Sequence, residues 1–141
     1  MQKTTSKEEK KVIDIINDYS GLNLVRSKYE YNRYDAEDVN YIVEIKIRKQ
    51  IYKDKIIEFS KYTYNKEYAK MMGKQFLYVL GERPSRKVIV FNMTDIDNQG
   101  GINYASALMN LPETTEYGRI EKQWKFVGFL PEEYNVGIIE V

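Results

Sequence analysis

The stretch that most constrains this chain is Tyr41 to Lys49, "YIVEIKIRK". Val43, Ile45 and Ile47 alternate with Glu44, Lys46 and Arg48. A two-residue period sends the first set to one face of a strand and the second to the other, so the segment reads as β rather than helix. The same alternation would suit an ordinary antiparallel strand with one solvated face and ion pairs across it.

Around this strand the remaining elements can be read from punctuation and period. "SKEEKKVIDIINDYSG" predicts a helix. Ser6 can cap it, Glu8 and Glu9 fall in its first turn, Val12, Ile15 and Ile16 form a stripe, and Gly21 closes it. "LNLVRSKYEYNRYD" reads as a strand or two short ones, "AEDVN" as a polar turn, and "IIEFSKYTYNKEYAKMMG" as a second helix closed by Gly73. "KQFLYVLG" and "KVIVFNM" have strand length and composition, separated by the turn-rich "GERPSR". "TDIDNQGG" predicts a loop, "INYASALMNL" a short helix, and "EKQWKFVGFL" and "NVGIIEV" late strands. Helix, strands, helix, strands imply a single α/β domain over 1–141, a mixed sheet flanked by helices.

Composition narrows the chemistry. The chain has 141 residues, no cysteine and no histidine. That excludes disulfide, thiolate, Ser-His-Asp and histidine-zinc chemistry. An enzyme of this composition works with carboxylates, lysines, tyrosines or a hard cation. No apolar run reaches membrane-spanning length and the first residues lack a signal-peptide core, which points to no membrane and a cytoplasmic protein. Net charge is only +1, yet "EIKIRKQIYKDK" concentrates Lys46, Arg48, Lys49, Lys53 and Lys55, a local patch for phosphates. The 13 tyrosines read mainly as packing residues, with base stacking as the lesser use.

If "AEDVN" turns a hairpin, Asp35 lies across the ladder from Glu44, and Lys46 shares the face of Glu44 about 6 to 7 Å away. Two converging carboxylates repel unless a cation joins them, which suggests a magnesium or manganese site. Such a cation can bind a phosphodiester oxygen and activate water. Lys46 beside two carboxylates keeps its proton, so its role is to orient the attacking water and stabilise developing charge rather than act as a free base.

Asp, a gap, then Glu-x-Lys on a strand, after a helix bearing an acid, resembles the PD-(D/E)xK nuclease superfamily. The resemblance spans Ser6 to Met93 and implies a restriction-endonuclease-like α-β-β-β-α-β core over about 6–93, with a C-terminal β extension over about 94–141. Asp35, Glu44 and Lys46 match the motif, with Asp38 the alternative aspartate. Glu9, or Glu8, matches the acid of the first helix, and Tyr34 stands where the family often has proline. "YNRYDAEDVNYIVEIKIRKQ" followed by "IIEFSKY" looks like small phage or prophage members. The resemblance implies a metal-dependent DNA endonuclease or resolvase-like hydrolase, in the host cytoplasm if phage-encoded. Arg48, Lys49, Lys53, Lys55 and Lys61 become candidate phosphate contacts. The competing readings are an inactive DNA- or protein-binding module on this fold and a phage inhibitor of a host factor. Homodimerisation stays open.

Overall fold

A parallel neighbour decides how the charged strand is used. In the computed structural model, which describes residues 6–27, 33–51, 55–110 and 122–141, this strand is β3 (Tyr41–Arg48). It pairs antiparallel with β2 (Ala36–Glu37) on one side and parallel with β5 (Gln75–Glu82) on the other. Parallel strands need a long crossover. Here it is supplied by β4 (Lys55–Glu58) and helix α2 (Phe59–Met71). The main sheet has the order β1-β2-β3-β5-β6-β9, with β1 at Val25–Arg26, β6 at Lys87–Asn92 and β9 at Gly137–Glu140.

Both faces of β3 are covered. Val43 and Ile45 join Val12, Ile13 and Ile16 of helix α1 (Ser6–Ser20) in one core, with Ile47 packed against it. Ile42, on the charged side, joins Ile57 of β4 and Tyr62 and Ala69 of α2 in a second core. The alternation therefore does not mark a solvated face: Glu44 is 6% exposed. Interior parallel strands are normally apolar on both sides. β5 follows that rule from Phe76 to Leu80, all buried, and departs from it at its last residue, Glu82, whereas β3 departs from it at Glu44, in mid-strand.

Several elements differ from the sequence expectation. Lys55–Glu58 is a strand, where the end of a polar connection and the first residues of the second helix were expected, because it pairs with β8 (Lys122–Leu130) in a second sheet of order β4-β8-β7. "TDIDNQGG" contains a short helix, α3 (Met93–Asn98), begun by Asn92, whose side chain accepts from the Asp95 N–H at 3.1 Å. "INYASALMNL" holds strand β7 (Tyr104–Asn110), held by its ladder with β8. The hairpin turn lies at 38–40, since Ala36 and Glu37 belong to β2. Gly21 and Gly73 close the two long helices at φ 69° and 68°, as expected for a left-handed stop.

The segment beyond residue 93 is woven into both sheets: β7 and β8 build the second one and β9 pairs with β6 in the first. The fold is thus a mixed α/β structure with a sheet flanked by helices. Among the described residues no helix is long and apolar enough to cross a membrane.

Candidate active site

The β2–β3 ladder sets the first pair of side chains. The ladder begins with Ala36 opposite Val43, and Asp35 immediately precedes it. The Asp35 N–H donates to the Val43 carbonyl at 2.7 Å, and Asp35 Oδ2 accepts from the Ile45 N–H at 2.7 Å. That second bond fixes the carboxylate beside Glu44. Asp35 is 7% exposed. Asp38 serves the turn instead. Its Oδ1 accepts from the N–H groups of Asn40 and Tyr41, both at 2.8 Å. Of the two candidate aspartates, Asp35 is the one that faces Glu44.

A cation reaches this pair from α2. Lys61 Nζ donates to Glu44 Oε1 at 3.1 Å. Partial burial works against the Lys61 ammonium, but the charge and hydrogen bond of Glu44, with Asp35 and Glu58 adding to them, outweigh it and raise its pKa above the ordinary lysine value. Three carboxylates thus act on one ammonium. They do not form a cage: among the described residues, no group of three or more acidic side chains could hold a metal ion together.

Lys46 and Arg48 follow Glu44 on the same face of β3 and are half-buried. Arg48 comes close to Tyr78 of β5, whose hydroxyl donates to the Ile56 carbonyl at 3.0 Å. Burial pushes the Tyr78 hydroxyl well above its ordinary pKa; the Arg48 guanidinium offsets part of this, and the charges of Glu44 and Glu58 add to it. Tyr78 is therefore a neutral donor in this layer. Its place was legible only as the one polar residue in the apolar run "FLYVL".

The expected basic run does not stay together. Lys49 is exposed at the end of β3, and Lys53 lies outside the described residues. Lys55 is a correction: it is 8% exposed, and its Nζ lies 2.6 Å from Glu82 Oε2. A lysine sealed against a buried glutamate cannot track a phosphate backbone, and the pair instead joins β4 of the second sheet to β5 of the first. Ser85 Oγ donates to the other Glu82 oxygen at 3.1 Å. The strand pairing that turns Lys55 inward was not visible in "QIYKDK".

The two acids of the first helix also separate. Glu8 is half-buried and pairs with Arg83. Glu9 is buried and lies 3.7 Å from Arg26 Nε of β1. α1 covers the face of the sheet opposite to Glu44. Arg26 was missed in the sequence because nothing in "LNLVRS" singles it out. Among the tyrosines, Tyr62 is core, its hydroxyl donating to Asp97 at 2.9 Å, and Tyr34, Tyr68 and Tyr64 stack in succession.

Two buried carboxylates, one just before β2 and one on β3, offer only oxygen donors, which suit a hard cation rather than zinc or copper. Magnesium is commonly held by one or two carboxylates, with water and substrate phosphate completing its shell. The ammonium against Glu44 shows that a positive charge is accommodated there. The residues present fit magnesium or manganese. No family model matches the chain and no curated protein matches it. Its class rests on fold and site: a mixed α/β protein with a buried carboxylate pair, basic side chains on the same strand face, and one lysine reaching in from solvent.

Proposed function

We propose that this protein is a metal-dependent phosphodiester hydrolase acting on DNA, of the PD-(D/E)xK type. The observation that carries the reading is the placement of Asp35 and Glu44. Both are nearly excluded from water, one just before β2 and one on β3, in a sheet interior where apolar side chains are the rule. Burying two like charges is costly unless a cation joins them. A fold that does so departs from its own packing rules at this point, which is expected of a functional site.

In this reading Asp35 and Glu44 hold the cation. When bound, magnesium or manganese supplies polarisation of a phosphate oxygen and activation of water. Lys46 is two residues further along the same face, and it donates hydrogen bonds as an ammonium to orient that water and to offset charge developing on the phosphate. Arg48, held near the buried Tyr78, adds a further positive charge on this face. Lys49 is exposed where the strand ends and can meet the DNA backbone.

Cleavage of linear, branched and single-stranded DNA with magnesium and with manganese tests the reading. Cleavage should disappear with EDTA and be far weaker with calcium. Folded protein that leaves all three substrates intact with both metals overturns it. The Lys61–Glu44 bond favours one competing reading, in which the ammonium replaces the metal permanently and the fold serves as a binding module. DNA binding without cleavage in that assay is its signature.

A further inference from the structure

Lys61 differs from the other buried-site lysine in how it meets solvent. Its side chain is 42% exposed while that of its partner Glu44 is 8% exposed. The ammonium enters from the water side, from the first turn of α2, and its stem is not locked in the core. Lys55, by contrast, is 8% exposed against a 4% exposed Glu82. Lys61 can therefore withdraw toward solvent without disturbing the packing of Tyr62, Asn65 and Ala69, the buried face of its own helix.

We propose that Lys61 is an exchangeable counter-ion: its ammonium holds Glu44 in the metal-free protein, gives way to a divalent cation, and then faces the phosphate which that cation binds. This rests on Asp35 and Glu44 being the cation site. A divalent cation and an ammonium on one carboxylate repel each other, so binding of the first weakens the hold of the second. The charges also balance in sequence. A divalent cation replacing a monovalent one leaves an excess positive charge beside a displaced ammonium, and a phosphodiester removes it. Empty, the site sets one ammonium against the Asp35 and Glu44 carboxylates; loaded, it gains affinity for an anion. Lys61 is thus a positioning residue that links metal binding to substrate binding.

The proposal is tested by titrating Mn2+, followed by its EPR signal, into the full chain and into the Lys61→Gln, Lys61→Arg and Glu44→Gln variants. Removing the competing charge should tighten Mn2+ binding on the order of tenfold in Lys61→Gln, the size expected for losing a charge-assisted hydrogen bond. Lys61→Arg should not tighten it, and Glu44→Gln should abolish it. A merely structural lysine predicts no tightening. Unchanged or weaker Mn2+ binding in Lys61→Gln, with binding lost in Glu44→Gln, overturns the exchange and leaves the cation site standing. Mn2+ binding that survives Glu44→Gln, or that neither the parent nor Lys61→Gln shows, overturns both. Binding gained only in Lys61→Gln supports the exchange. If Lys61→Gln does not fold, the lysine Nζ resonances of the unmodified protein decide the matter. The Lys61 signal should shift on saturation with Mg2+, and a signal that does not move overturns the proposal.

Discussion

Two lysine–glutamate pairs tie the β4–α2 crossover to the main sheet, and they are built differently. Lys55 and Glu82 meet at 2.6 Å with both side chains sealed from water. Lys61 and Glu44 meet at 3.1 Å with the lysine half in solvent and Asp35 beside the glutamate. The first pair is closed on every side and joins β4 to β5, so its geometry has nothing to exchange. The second is closed at the carboxylate and open at the cation. Buried charge alone does not mark a functional site. A buried anion whose counter-charge can leave is the more informative arrangement.

Variants that remove one partner separate the two pairs, beginning with the largest effect. Glu44→Gln or Asp35→Asn should lower cleavage on the order of 10⁴-fold, since each removes a proposed metal ligand. DNA affinity, measured by titration in calcium, should persist. Simultaneous loss of cleavage and binding in a folded variant would place the site elsewhere.

Lys55→Met should destabilise the fold by about 3 to 5 kcal/mol in urea denaturation, because it leaves Glu82 charged and buried. Adding Glu82→Met should recover most of that loss, and divalent cations should recover none of it. Recovery by magnesium would erase the distinction between the pairs. Lys61→Gln, at the open pair, should cost only about 1 kcal/mol, as solvent already screens the ammonium. Magnesium should restore that stability. A cost equal to that of Lys55→Met would show that Lys61 is as structural as Lys55.

The smallest effect concerns the basic run. Lys49→Gln should lower the slope of log affinity for DNA against log salt by about 0.7 to 0.9, the loss of one phosphate contact. A slope equal to that of the parent protein makes Lys49 ordinary solvated surface.

The contrast between the pairs also shows what could be read from residues alone. Asp35, Glu44 and Lys46 were legible because a hairpin and a two-residue period are local rules, and the ladder from Ala36 to Val43 follows them. α1 and the end of α2 were legible for the same reason, through stripes and closing glycines. The Lys55–Glu82 pair was not, since its partners are 27 residues apart and meet only once two sheets pack. β7 was misread as a helix because Ala, Leu and Met favour one, and only its ladder with β8 overrides that preference. The burial of the charged face of β3 was hidden as well. Alternation reveals which residues share a face, but not whether α2 covers it.

The most direct test of the central claim is anomalous diffraction from a crystal grown with Mn2+. The account predicts one Mn2+ peak within coordination distance of Asp35 and Glu44, with Lys61 Nζ moved off Glu44. A crystal saturated with Mn2+ that shows no peak there, and Lys61 still bonded to Glu44, would contradict it.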